Sequence, residues 1–365
     1  MSIVLPKFLS KEFKEKYNLK NFIIQAPMAG GISTPSLVSA VVKNNSIGFL
    51  AAGYISAEAL EKQIIEVKET VNGIFGVNLF VIESKKRAKY TKPEILTRIE
   101  KELNIYKTKI MTAEINEEND AKIDFIIKHG VKIVSFTFGL PKQKWIDKLK
   151  ENNIYIIGSC TNLLEAKAIE ESGCDAVVVQ GFEAGGHRGS FLNKNDEIGL
   201  FSLLQEVAQS IKIPIIAAGG IANGRGILAA KILGATAVQI GTGFLLTKES
   251  SALEAYKNAL LHSHAHEIIM TERISGKKAR GKGNKFVTKL QNSSNKVFPY
   301  PIQNAMTKEI RSCAQKENKS DYMSLWSGQS VNLIKDILSV EDYLKNIMTE
   351  YSIGVKKFSL LHNDF

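Results

Sequence analysis

Apolar, largely β-branched runs recur along the chain at residues 22–28, 47–53, 75–81, 133–139, 154–160, 176–181, 213–220 and 237–245, each closing on glycine or small polar residues. Their apolar character is nearly continuous rather than alternating, the pattern of strands buried on both faces. Between most of them the hydrophobic spacing turns helical. Thr161-Asn162 opens one such segment, carrying Leu163, Leu164, Ala166, Ala168 and Ile169, and Asn223 caps another that runs to Leu233 and closes at Gly234. Strand and helix alternating in this way predict a parallel sheet. Eight units predict an α/β fold of the TIM (β/α)8 barrel type. The alternative is an open Rossmann-type sheet, which no Gly-x-Gly-x-x-Gly after the first strand supports.

Two stretches exceed a minimal barrel. Residues 1–81 and 133–250 are assigned to the barrel, and 82–132 with 251–350 to a smaller, mainly helical cap or second domain. The insertion 82–132 is expected to hold two or three helices. Residues 351–365 are read as a C-terminal tail that docks or stays disordered.

Composition narrows the class of protein. At 365 residues and 44% hydrophobic, the chain can bury a large core. No apolar run nears the roughly 18 residues that span a bilayer, and the first nineteen residues lack a signal-peptide core. The 3 cysteines have neither metal-ligand nor disulfide spacing, as expected of a cytoplasmic protein. The net charge of +11 comes from lysines spread along the whole chain, so a membrane or nucleic-acid partner is not expected. A positive potential does attract small anions. A monomer or homodimer is expected.

The chemistry concentrates at strand ends. After the sixth run comes Gln180-Gly181-Phe182-Glu183-Ala184-Gly185-Gly186-His187-Arg188-Gly189, where glycines let a backbone approach a ligand and a histidine stands at the carboxyl end of a barrel strand. The first strand ends in Gln25-Ala26-Pro27-Met28-Ala29-Gly30-Gly31, leaving room for a flat ligand or simply making a tight turn. Glycine-rich turns follow both the seventh run (Gly219-Gly220) and the eighth (Gln239-Ile240-Gly241-Thr242-Gly243), the places where barrels bind phosphate. Asn78 and Gln180 add amides at strand ends, either structural or reading a heterocycle. The alternating His262, His264 and His266 lack a surrounding ligand set for a metal. Residues 276–283 have P-loop glycine spacing but end in Gly where Ser or Thr should stand, so they are read as a basic loop.

Residues 180–189, with the Ala26–Gly31 opening and Leu325-Trp326-Ser327-Gly328-Gln329, resemble the nitronate monooxygenases of the bacterial class I type, formerly 2-nitropropane dioxygenases. The resemblance spans about residues 22–329. It implies an FMN-containing TIM barrel with a small second domain. The implied activity is oxidation of alkyl nitronates by O2 that releases nitrite and leaves a carbonyl, with propionate 3-nitronate as substrate and detoxification as role. It implies FMN contacts at Ala26, Pro27, Met28, Asn78, Gln180 and Gly185, with phosphate at Gly219, Gly220, Gln239, Ile240, Gly241 and Thr242. His187 would be the catalytic residue, orienting the anion or taking a proton from a neutral nitroalkane. Tyr300, Lys308 and Tyr322 are candidates on the substrate side, and no metal is implied. Ser327 stands where Ala is common, and residues 277–285 are unusually basic. The core Glu183-Ala184-Gly185-Gly186-His187 is shared with flavin-dependent enoyl-acyl-carrier-protein reductases, the alternative enzyme reading. A flavin-binding or basic interaction protein without turnover is a third.

Overall fold

Eight parallel strands close into a barrel in the computed structural model, which describes residues 7–82, 88–105, 110–113, 118–192 and 196–361. They are β1 (Ile23–Gln25), β2 (Gly48–Ala51), β3 (Phe75–Phe80), β4 (Ile133–Thr137), β5 (Tyr155–Cys160), β6 (Ala176–Gln180), β7 (Ile215–Ala218) and β8 (Ala237–Ile240). Each pairs with its neighbours in sequence, and β8 pairs with β1. The ring shuts where Gln25 N donates to Ile47 O at 2.9 Å and Ile47 N to Ile23 O at 3.2 Å. Closure removes the open-sheet alternative. The eighth run is shorter than its apolar length suggested: the strand stops at Ile240, and Thr242–Leu245 is a helical turn.

Side-chain alternation explains why the runs read as continuous. Ile24, Ile157, Val178 and Ile216 fill the barrel interior. Ile23, Ile156, Val177 and Ile215 point outward into the layer of helices. Phe8 and Phe13, flanking the start of the helix Lys11–Lys16, pack on Tyr155 with ring centroids 5.0 and 5.2 Å away and join the interior cluster.

Seven helices link the strands as expected; the helix Leu163–Glu171 is capped by Asn162, and Gly224–Ile232 by Asn223. The eighth is Val340–Leu361, which packs on Gly224–Ile232 and on Pro35–Lys43. Its Val340, Tyr343, Leu344 and Ile347 enter the barrel's outer core. Residues 340–361 therefore belong to the barrel layer and form neither cap nor tail; residues 362–365 lie outside the described residues. Among its described residues the insertion supplies the cap helix Glu94–Glu102, flanked by the antiparallel strand pair Ala88–Thr91 and Ile110–Ala113, while Asn119–Lys128 is a barrel helix. A separate apolar core joins Leu96 and Ile99 to Leu260, Phe286, Ile310 and Leu325 from the long segment after β8. No helix among the described residues is long and apolar enough to cross a membrane.

The eighth helix sits close because Gly224 has no side chain. A Cβ there would stand 2.1 Å from Tyr351 N and 2.4 Å from Ile347 O, both backbone atoms of the facing helix. Gly224→Ala should lower unfolding free energy by about 3 kcal/mol, as forced overpacking does, measurable as a shifted urea midpoint at unchanged slope.

Candidate functional site

A cavity of about 540 Å³ opens at the carboxyl ends of the strands, beneath the cap. Ala26, Pro27, Met28, Asn78, Gln180, Gly185, His187, Gly219, Gly220, Gln239, Gly241 and Thr242 all line it. Ile240 does not: its side chain is buried in the outer core, and its carbonyl accepts from Ala26 N at 2.9 Å. Alternation along β8 gives this result, since Gln239 and Ile240 face opposite sides.

The loop after β1 is fixed from below. Gln25 is fully buried; its Oε1 accepts from Phe49 N at 2.9 Å, and its Nε2 donates to Ser33 Oγ at 2.8 Å and to the Ala26 carbonyl. Ser33 Oγ in turn accepts from Met28 N at 2.8 Å. At the other side of the cavity, no hydrogen bond within the described residues uses the backbone N–H of Gly219, Gly220 or Gly241. Gly219 and Gly220 hold φ of +101° and +71°, which glycine alone adopts without strain. Unpaired backbone donors at the ends of β7 and β8 suit an anion such as phosphate.

The loop after β6 owes its shape to the hydrogen bonds of its own side chains. Gln180 Nε2 donates to the His187 carbonyl at 3.0 Å, and its Oε1 accepts from Gly189 N at 2.8 Å. Arg188 is buried and donates through Nη1 to Gly181 O at 2.7 Å. Arg280, also buried, lies 4.4 Å over the Phe182 ring. Glu183 accepts from Leu200 N, closing the N-terminus of the helix Leu200–Ala208. Residues 276–283 are not simply a basic loop: Ala279–Lys282 is a strand, paired on one side with Ile268–Thr271 and on the other with Gly186–His187. The remaining amide, Asn78, donates through Nδ2 to Ser135 Oγ at 2.9 Å and Thr137 Oγ1 at 3.0 Å, leaving Oδ1 without a partner among the described residues.

His187 sits among aromatic rings, with Phe138, Tyr300 and Trp326 centroids 6.0, 5.7 and 5.6 Å away. Burial, helped by the charges of Lys277 and Arg311, pushes its imidazole down to about 3, so the ring is neutral at physiological pH. Its Nε2 lies 2.8 Å from Ser275 Oγ. Ser275 Oγ also lies 3.0 Å from the Lys277 carbonyl, so the serine hydroxyl fixes the orientation of the ring. Phe138 holds φ +79°, a strained conformation for a bulky residue that costs about 1–3 kcal/mol and recurs at functional sites.

Of the substrate-side candidates, Lys308 lines the cavity; Tyr300 does not, but its Oη donates at 3.2 Å to Oη of Tyr54, which does. Tyr322 does not reach it; it is buried in the cap core and donates to Glu102 Oε2 at 2.8 Å. Sequence reading missed Ser275, Phe138, Tyr54 and Arg311. Only Arg311 had a usable signal, standing three residues after Lys308 on the helix Lys308–Lys316. Among the described residues no group of three or more His, Cys, Asp or Glu could hold a metal.

Residues 11–350 match the family model described as nitronate monooxygenase. The chain is 39% identical over 347 residues to a probable nitronate monooxygenase of Bacillus subtilis, covering 93% of this chain and 98% of the relative. It is 40% identical over 334 residues to a probable nitronate monooxygenase of Staphylococcus haemolyticus, covering 89% and 92%. Among solved structures it resembles a nitroalkane oxidase from Streptomyces ansochromogenes (TM-score 0.83, 30% identity, 93% of this chain and 98% of that one). It also resembles FabK from Thermotoga maritima (TM-score 0.76, 27% identity, 98% and 99%).

The neutral His187 has a consequence for stability. Its folded pKa lies below the 6.5 of a free imidazole, so between about pH 6.5 and 3 the unfolded chain binds a proton that the folded chain refuses. That contribution is intact above pH 6.5 and shrinks on acidification. Relative to His187→Asn, wild-type stability should fall by about 2 kcal/mol between pH 7 and pH 5, read from paired urea melts; a constant difference would place the imidazole's pKa near 6.5.

Proposed function

The chain belongs to the nitronate monooxygenase family, and on that basis we propose that it uses FMN and O2 to oxidise alkyl nitronates, with propionate 3-nitronate as the preferred substrate. The observation that carries the reading is one cavity with two unlike ends: unpaired backbone donors after β7 and β8, and a neutral histidine beneath a cationic cap.

The residues present fit FMN. The N–H groups of Gly219, Gly220 and Gly241 would hold its phosphate, and the turn Ala26–Met28, Asn78 Oδ1 and the 185–187 loop would border its ring. When bound, FMN supplies the one-electron oxidation of the nitronate and its completion by O2. The rest is the work of this chain. Lys277, Lys308 and Arg311 make the cap side of the cavity positive and draw an anion in. The aromatic rings around His187 exclude water. The nitronate's C=N bond breaks, nitrogen would leave as nitrite with both of its oxygens, and the carbon would gain its carbonyl oxygen from O2, two nitronates and one O2 balancing to two carbonyls and two nitrites.

Such a substrate arrives without the α-proton, so no base is required. A neutral nitroalkane must first lose that proton, and the unprotonated ring nitrogen of His187 is the group to take it. An imidazole held so far below its ordinary range is a weak base, which favours nitronates over nitroalkanes.

Anaerobic mixing of the yellow holoenzyme with propionate 3-nitronate, followed by air, should change the flavin absorbance and then release nitrite. No change with nitronate but rapid bleaching by NADPH would move the assignment to the enoyl-acyl-carrier-protein reductases. His187→Ala should cost nitroalkane oxidation about 100-fold or more, the scale of a lost general base, and nitronate oxidation far less. Equal losses on both substrates would remove His187 from proton transfer.

A further inference from the structure

The helix Lys308–Lys316 turns a polar side inward: Lys308, Arg311, Ser312 and Gln315, spaced three to four residues apart, all line the cavity. A helix ordinarily gives such a side to water. Arg311 is the enclosed cation of the set. Its Nη2 donates to Asn304 O at 2.7 Å and Asn304 Oδ1 at 2.9 Å, and its Nε to Thr307 Oγ1 at 3.2 Å. The preceding turn thus holds the guanidinium in one orientation and leaves both Nη1 hydrogens without an acceptor among the described residues.

No carboxylate among the described residues pairs with Arg311; the groups that favour its charge are the phenols of Tyr54 and Tyr300, and burial works against it. A half-enclosed cation with no counter-ion is unfavourable until a ligand brings one. The nitronate group itself belongs beside His187 and the flavin ring. Arg311 acts on His187 only through its field, as one of the charges that lower the imidazole, with no hydrogen bond between them. Its free Nη1 is therefore directed to a second anionic group on the same molecule.

We propose that Arg311 is a specificity-determining residue that pairs with a carboxylate on the substrate's tail, so that the pocket selects nitronates carrying a second negative charge over those with a plain alkyl tail. The inference rests on the nitronate reading and adds to it the residue that sets the tail preference. Guanidinium suits the task because its fixed, planar donors meet a carboxylate oxygen without giving up the bonds to Asn304 and Thr307.

The test compares holoenzyme kcat/KM for propionate 3-nitronate and propyl-1-nitronate in wild type, Arg311→Leu and Arg311→Lys, with flavin content matched. In Arg311→Leu the ratio of the two should fall about 100-fold, the worth of a charge-assisted hydrogen bond, carried mainly by KM. Arg311→Lys, which keeps the charge and guards against misfolding, should recover part of the ratio. Equal losses on both substrates would overturn the assignment, because Arg311 would then serve the nitro group or the fold. Anaerobic calorimetry with 3-nitropropionate and with 1-nitropropane, on His187→Ala and on His187→Ala with Arg311→Leu, reads the same contact without turnover. Arg311→Leu should weaken the first about 30-fold more than the second, and parallel weakening would again overturn it. A wild-type enzyme that binds 3-nitropropionate through Arg311 yet releases no nitrite would sink the proposed reaction and leave the carboxylate contact standing.

Discussion

The site depends on a backbone-to-backbone contact. A Cβ on Gly185 would stand 2.5 Å from both Gly328 N and Ser327 C, so the loop after β6 and the segment 325–329 can meet only because that residue is glycine. The contact is fastened by Gln329 N donating to Glu183 O at 3.0 Å and Gly328 N donating to Thr242 Oγ1 at 3.0 Å. It ties β6, β8 and the cap into one wall. Trp326 thereby comes to rest beside His187, and the cavity acquires its roof. The buried guanidinium groups of Arg188 and Arg280, both packed on Phe182, stiffen the same loop from behind.

This arrangement separates two jobs that the motif's residues could have shared. Glu183, Arg188 and Gln180 spend their hydrogen bonds on the loop and the adjoining helix. His187 alone is left beside the cavity with an unused nitrogen. Its neutrality follows from its surroundings: the aromatic rings remove water, and the cations that make the pocket attractive to anions also repel a proton from the ring. Burial does most to weaken the histidine as a base, and the cations suited to anion capture add to it.

The barrel was legible because parallel strands buried on both faces leave long apolar runs, and because strand-end glycines mark the loops that approach a ligand. The Ala26–Met28 turn, Gly219-Gly220 and His187 could be found that way. Ile240 entered the same list because a run of neighbouring residues was taken together, where alternation sends every second side chain into the outer core. The strand pair of Ala88–Thr91 and Ile110–Ala113 is too short and polar to stand out. Val340–Leu361 reads as an ordinary amphipathic helix, and nothing local says that it returns to the barrel after the whole cap. Ser275 and Arg311 enter the site from 88 and more residues beyond His187 in the chain, a proximity made by packing and invisible in local spacing. The inward polar side of the helix Lys308–Lys316 looks in sequence like any wet surface.

The eighth helix does more than complete the ring. Tyr343 Oη donates to Ala222 O at 3.0 Å, and Glu350 accepts from Gly224 N at 3.0 Å, so a helix that follows all eight strands in the chain braces the loop after β7. The backbone donors of that loop therefore keep their arrangement through a segment far downstream, and a change in the eighth helix reaches the cavity without touching it.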